Sequence, residues 1–184
     1  QQPYVKAPNP RSSAEFGHAV ALSADGNTMV VSAFWEPSNA KGINGDQKDE
    51  SIPQAGAVYV FTRRGATWTQ QAYIKASNRG EAGTADAFGD GDQFGFSIAL
   101  NADGNTLAVG ALTEDSAATG INGNQADNSA QSAGAVYVFT RTGTTWSQQA
   151  YVKSPQMDAG DMFGYAVALT VDRNMLAVGA FDED

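Results

Sequence analysis

The chain contains no cysteine and one histidine, His18, in 184 residues. The missing thiols exclude disulfides, a thiolate nucleophile and zinc sites of the cysteine type. With a single histidine as well, the usual nucleophile–base pairs are nearly out of reach. Basic residues are also few: 11 Lys and Arg face 20 Asp and Glu, for a formal charge of −9. Nucleic-acid binders concentrate Lys and Arg on one surface, so this balance argues against them and against anionic membranes. No apolar run approaches the roughly 18 residues of a membrane-spanning helix. Gln1 opens directly on strand-like sequence without an apolar leader, so the chain is expected to be a mature or trimmed product. Helix-favouring runs are missing too, whereas Gly occurs 20 times. That combination predicts an all-β chain rich in turns.

What is present is repetition. AGAVYVFTRRGATWTQQAYIK at residues 55–75 returns as AGAVYVFTRTGTTWSQQAYVK at residues 133–153. Internal copies set the architecture and are read before anything else. Phe16, Phe94 and Phe163 each open an FG-led segment, FGHAVAL, FGFSIAL and FGYAVAL, and Tyr4, Tyr73 and Tyr151 each sit in a Tyr-Val/Ile-Lys strand. Phe16 to Tyr73 and Phe94 to Tyr151 are each 57 positions, whereas the Tyr-to-Phe gap is 12, 21 and 12. A fixed unit therefore alternates with one connection that tolerates insertion.

Each unit predicts four strands, illustrated by the second copy. Strand A covers residues 94–100, strand B 106–112, strand C 133–139 and strand D 146–153. An Asp-Gly turn joins A to B and a short Thr-Gly turn joins C to D. Strand C is apolar at nearly every position, so both of its faces should be buried. Tandem four-stranded antiparallel units with both faces covered describe the blades of a β-propeller. Gly110, Ala111, Gly134 and Ala135 are small enough for blade-on-blade stacking. In this reading residues 1–15 end one blade, 16–93 and 94–162 form two, and 163–184 begin another. The total is eleven strands, about 2.75 blades, where closure takes about 4 to 8. The sequence is thus expected to be a portion of a longer chain. The rival expectation is an oligomer whose neighbours complete broken blades by strand addition through exposed first and last strands.

The repeats resemble the FG-GAP repeats of integrin-α-like propellers, over essentially the whole chain. The matching residues are Phe16-Gly17, Phe94-Gly95 and Phe163-Gly164. Each leads to a strand ending in Ser32-Ala33, Gly110-Ala111 or Gly179-Ala180, and then to an acid at Glu36, Glu114-Asp115 or Asp182. The resemblance implies an extracellular or cell-surface adhesion module and binding in place of catalysis. One departure bears on metal. Calcium-binding members carry an Asp-rich loop between the FG and GA strands, whereas here the position holds only SADGNT, NADGNT or TVDRNM, too short to wrap an ion.

In antiparallel blades the A–B and C–D turns emerge at one end and the B–C and D–A loops at the other. All acids but Asp25, Asp103 and Asp172 fall in the long loops or the chain ends, which leaves 17 there against Arg11, Lys41, Lys48 and Arg79. Arg63, Arg64, Arg141 and Arg173 sit on the opposite turns. The long-loop face is accordingly the candidate binding face. Trp35, Glu36, Glu114 and Asp115 are the candidate ligand contacts. Asp46, Asp49, Asp90, Asp92, Asp115 and Asp127 are hard oxygen donors of the kind calcium takes, and they are the candidate metal ligands. A purely solvating acidic surface is the competing reading. The repeated GINGDQ (42–47) and GINGNQ (120–125) predict a loop of defined shape. Trp68, Trp146, Tyr59 and Tyr137 recur in phase and are read as packing residues; His18 occupies a core or channel-lining position. Adjacent acids such as Glu114 and Asp115 are poorly placed for glycoside hydrolysis, which needs carboxylates across a scissile bond. The expected function is a non-catalytic extracellular module binding a protein or glycan through the acidic face, with calcium assistance. The alternatives are a lectin-like propeller using Trp35 and a structural unit that self-associates.

Overall fold

The computed structural model describes residues 4–78, 91–172 and 175–182. Among them the chain is all-β, without a helix. β1 (Val20–Leu22), β2 (Thr28–Ala33), β3 (Ala57–Arg64) and β4 (Thr67–Ile74) form one antiparallel sheet in chain order. β5 (Phe94–Leu100), β6 (Thr106–Ala111), β7 (Ala135–Thr142) and β8 (Thr145–Val152) form a second, and β9 (Ala166–Leu169) pairs with β10 (Leu176–Gly179) in a third. No sheet closes on itself; the three follow one another as an open stack.

The two long sheets share one register. Val58↔Ile74 and Tyr59↔Tyr73 in the first reappear as Val136↔Val152 and Tyr137↔Tyr151 in the second. Both ladders slip at the same place, between Val60/Phe61 and between Val138/Phe139. The slip follows from sequence spacing: an extra Gln beside Ala72 or Ala150 gives the D strand one residue more than its partner, which makes a bulge. Strand C is buried on both faces as the unbroken apolar run requires, with Ala57 through Phe61 all at 4% exposure or less.

Alternate residues of that run enter different cores. Val58 and Val60 join Val30, Ala72 and Ile74 against Leu107, Val109, Tyr137, Phe139 and Trp146 of the second sheet. Tyr59, Phe61, Tyr73 and Val31 face the other way and are covered by Val5, Ala7 and Phe16. Fully burying such side chains stabilises the fold by about 1.5–3 kcal/mol each.

Glycine sets how closely the sheets approach. Gly95 and Gly164, the G of the FG pairs, take φ of +96° and +97°, where other residues are strained. A Cβ on Gly110 would lie 2.2 Å from the Gly164 carbonyl oxygen, and one on Gly134 would lie 2.3 Å from that of Phe163. These contacts are the stacking that the small residues predicted.

Two expectations shift. Residues 4–7 join no sheet, so ten strands are present among the described residues. A strand exists only where a neighbour takes its hydrogen bonds, and the Tyr4 segment has none beside it. Strand A is also shorter than expected in the outer copies: β1 begins at Val20 and β9 at Ala166, whereas in β5 Phe94 itself pairs with Ala111 and the strand runs from Phe94.

Candidate functional site

The expected ligand contacts Glu36 and Glu114 lie inside the protein, each with 0% exposure. Glu36 Oε2 accepts from Lys75 Nζ at 2.8 Å, from the Tyr73 hydroxyl at 2.8 Å and from the Ser38 N–H at 3.1 Å. Its Oε1 accepts from Asn9 Nδ2 at 3.1 Å. Glu114 repeats the set with Lys153 Nζ (2.8 Å), the Tyr151 hydroxyl (2.7 Å), the Ser116 N–H (3.2 Å) and Asn78 Nδ2 (2.8 Å). Asn9 and Asn78 in turn accept from the Tyr59 and Tyr137 hydroxyls. A buried carboxylate with one cation and three further donors is fully satisfied, as burial demands. Burial first, and then the Glu36 or Glu114 charge, pushes the Tyr73 and Tyr151 phenols far above their usual range, so both remain donors. Burial pulls Lys75 below the ordinary lysine value against the opposing pull of Glu36. These acids therefore face inward, and what they hold is the start of the B–C loop.

The loops themselves are shaped by backbone pairing. Gly42 and Asn44 of GINGDQ dock beside β4: Asn44 N–H donates to the Tyr73 carbonyl at 2.7 Å, Asn44 Oδ1 accepts from Tyr73 N–H at 3.0 Å, and Lys75 N–H donates to Gly42 at 2.8 Å. Gly120 and Asn122 do the same to β8. Asn44 and Asn122 both take positive φ, +58°, which asparagine tolerates. The outer edges of β4 and β8 are thus covered over their final residues, so edge-to-edge strand addition at that end is blocked by the chain's own loop.

The candidate metal ligands close turns. Asp49 Oδ1 accepts from the Asn39 N–H (3.0 Å), the Ser51 N–H (2.8 Å) and the Ser51 hydroxyl (2.7 Å), donors that hold its carboxyl down at about 2. Asp127 accepts from the Ala117 N–H and the Ser129 hydroxyl and is lowered for the same reason. Asp46 Oδ1 accepts from the Lys48 N–H at 2.9 Å, and Asp115 Oδ1 from the Ser132 N–H at 2.8 Å. Asp92 is buried, and its carbonyl accepts from Thr113 N–H at 3.3 Å. Asp90 lies outside the described residues. Among the described residues no three His, Cys, Asp or Glu side chains converge. Asp46, Asp49, Asp115 and Asp127 each accept from a backbone N–H of their own loop.

What the long-loop end does present is aromatic. Phe34 at the close of the B strand packs on Trp35 (centroids 5.2 Å apart) and on His18 (4.3 Å). His18 meets Phe96 at 5.3 Å, Phe96 meets Tyr165 at 5.3 Å, and Tyr165 meets Phe181 at 5.0 Å. The row crosses all three sheets. Trp35 is 37% exposed, Tyr165 42% and Phe181 62%, and His18 is exposed as well. The sequence marked Trp35 alone. The rest follows from one phase relation: the residue after each FG is His18, Phe96 or Tyr165, and the residue after each GA position is Phe34, Leu112 or Phe181. Likewise Lys75 and Lys153 were visible as the Lys of Tyr-x-Lys, in step with Glu36 and Glu114. Set against known protein families and curated proteins, the chain matches none.

Proposed function

We propose that the protein is a non-catalytic, β-propeller-type adhesion module of the cell exterior that engages a protein partner through its long-loop face. The observation that supports this most is the contiguous aromatic row from Trp35 to Phe181, exposed at Trp35, His18, Tyr165 and Phe181 and half-buried at Phe34 and Phe96. Aromatic side chains carry large contact area at small entropic cost and dominate protein-interface energetics. The loops around the row are acidic in sequence, which favours a partner bearing Lys and Arg, whose cations also bind aromatic faces. The FG-GAP resemblance and the fourfold-stranded repeats support the propeller reading. The proposal rests on the aromatic row and assigns no residue to calcium.

A second reading, carbohydrate binding, is favoured by one detail: Trp35 lies at the outer end of the row with more than a third of its surface open. The test is an array carrying both matrix proteins and glycans, probed with the parent protein and with a Trp35→Ala/Phe96→Ala variant, with and without EDTA. Binding to a protein that falls at least tenfold in the variant and ignores EDTA is expected. Binding that survives the double substitution overturns the assignment of the face. Selective glycan binding lost with Trp35 transfers it to the second reading.

A further inference from the structure

Each buried glutamate holds a primary amine on one oxygen and a carboxamide on the other. Glu36 Oε2 accepts from Lys75 Nζ at 2.8 Å, and its Oε1 accepts from Asn9 Nδ2 at 3.1 Å. Glu114 holds Lys153 Nζ on Oε2 and Asn78 Nδ2 on Oε1, both at 2.8 Å. The carbonyl oxygen of each carboxamide accepts in turn from a phenol, Tyr59 at 2.7 Å for Asn9 and Tyr137 for Asn78. The glutamates and lysines are no more than 2% exposed. Asn9 and Glu36 lie 27 positions apart, whereas Asn78 and Glu114 lie 36 apart. The carboxamide thus returns to the same carboxylate oxygen across connections of unequal length.

Satisfying a buried carboxylate does not require this set, since a hydroxyl or a further backbone N–H would complete it as well. The four groups are those of an acyl transfer. The lysine is a nucleophile, the asparagine Cγ is an acyl carbon, the glutamate touches both nitrogens, and the phenol donates to the oxygen on which charge would develop. Burial pulls Lys75 below the ordinary lysine value against the opposing pull of Glu36, which raises the share of neutral amine. Burial first, and then the neighbouring glutamate charge, pushes the Tyr59 and Tyr137 phenols well above their usual range, so each keeps its proton to donate. Amine and carboxamide are held on one carboxylate by folding, so the entropy of bringing them together is already lost.

We propose that both networks are self-modifying sites that form side-chain amide cross-links, Lys75 to Asn9 and Lys153 to Asn78, with Glu36 or Glu114 carrying the proton and ammonia leaving. In the first copy Lys75 Nζ passes a proton to Glu36 Oε2, and the freed lone pair attacks Asn9 Cγ. The Nζ–Cγ bond forms and the carbonyl π electrons move onto Oδ1, which the Tyr59 hydroxyl stabilises. Glu36 hands its proton to Nδ2, the Oδ1 electrons return, and the Cγ–Nδ2 bond breaks. The departing ammonia takes up the extra proton left on Nζ. Lysine ammonium and carboxamide thereby become a secondary amide and ammonium, and no oxidant, reductant or cofactor enters. The first bond joins the chain before β1 to the chain after β4, and the second joins the chain before β5 to the chain after β8. Tension along the chain would then run through residues 9, 75, 78 and 153, leaving both four-stranded sheets outside its path. The inference stands independently of the aromatic row.

The test is a tryptic digest of the folded, purified full chain, read by tandem mass spectrometry. Trypsin does not cut after an acylated lysine, so the expected product is one branched species in which residues 7–11, 65–79 and 142–173 are joined, lighter by two ammonias than its parts. None of these segments holds Gln1 or an Asn-Gly pair, so terminal cyclisation and succinimide formation do not mimic the loss. Glu36→Gln keeps the outline of the side chain but carries no proton. It should release 7–11 and 65–75 as free peptides while 76–79 stays joined to 142–173. In pulse-labelled protein Tyr59→Phe should slow the appearance of the Asn9–Lys75 link roughly 100-fold, the loss that follows removal of one oxyanion donor. A folded parent that yields 7–11, 65–75 and 142–153 as separate linear peptides overturns the proposal, whatever the variants do. A link that forms undiminished in a Glu36→Gln variant with parental circular dichroism overturns the proton-carrying role of the glutamate.

Discussion

Replacing Lys153 with methionine isolates the energy held in the buried acid networks. Lys153 and Glu114 side chains are both 0% exposed and 2.8 Å apart, so neither solvent screening nor side-chain escape discounts the pair. Lys153→Met keeps the stem and removes the cation, which leaves Glu114 with three neutral donors, Tyr151, Ser116 and Asn78. Breaking a buried pair by deleting one partner costs about 3–5 kcal/mol. For a chain of this size 1 kcal/mol corresponds to roughly 2–4 °C in Tm, so the variant should melt about 6–20 °C below the parent in calorimetry. Glu114→Gln should cost a similar amount by stranding the ammonium. The double variant, Glu114→Gln with Lys153→Met, buries no charge and should recover at least half of the summed loss, the non-additivity expected of residues in one network. A single variant that melts within 2 °C of the parent, or a double variant that is strictly additive, would refute the claim that these charges are held out of water by each other. Lys75→Met provides a replicate in the first sheet, where the partners are 3% and 1% exposed, and should agree within about 1 kcal/mol.

Three further outcomes follow from the geometry. Gly110→Ala should destabilise by about 1–3 kcal/mol, read from the urea midpoint, because the new Cβ would sit 2.2 Å from the Gly164 oxygen; a neutral result would mean the second and third sheets do not stack as described. Asn122→Ala should cost about 1–3 kcal/mol by unpairing the Tyr151 N–H, with faster hydrogen exchange at Tyr151 as the local readout. Asp49, held at about 2 in the folded chain against 3.8 ordinarily, contributes stability that is complete above about pH 4 and is lost as the pH falls towards 2. Asp49→Asn should accordingly flatten the pH dependence of Tm in that window, and an unchanged slope would show that its turn donors exert no hold.

The strands were legible because each rests on a local rule. Alternation, Asp-Gly turns and the doubled Ala-Val-Tyr-Val-Phe run are short-range patterns, and β5 matches its expected span of residues 94–100. The acids misled for a physical reason. Sequence shows a carboxylate after each GA strand, but whether it faces water depends on where Lys75 and Tyr73, about forty positions later, place their heads. Charge in the long loops therefore read as surface, whereas the in-phase Tyr-x-Lys was the signal that two of those acids had internal partners. The Asx turns at Asp46 and Asp49 are local and could have been read from Asp-x-Lys and Asp-x-Ser. The aromatic row could not be read from any one repeat, since its members come from three copies and touch only once the sheets are stacked.

The buried networks and the exposed row are adjacent in the chain, and that adjacency gives the networks a role beyond stability. Phe34 and Trp35 immediately precede Glu36. With its carboxylate fixed to Lys75 and Tyr73 at the end of β4, the backbone at residue 36 is pinned, and Glu36 N–H closes the turn onto Ala33 at 3.0 Å. The two rings before it are thereby held between a strand end and an anchored residue, so little rotamer freedom remains to be lost when they contact a partner. Asn9, contributed by the segment that leads into Phe16, ties the same carboxylate to the approach of His18. One buried glutamate thus orients both sides of the aromatic contact. If so, Lys75→Met should loosen presentation of Phe34 and Trp35 and weaken partner binding at temperatures well below its own melting, whereas Lys153→Met, whose glutamate follows Leu112 and Thr113, should cost the same stability and leave binding nearly intact. Equal losses of binding in the two variants would reduce the networks to stabilisers alone.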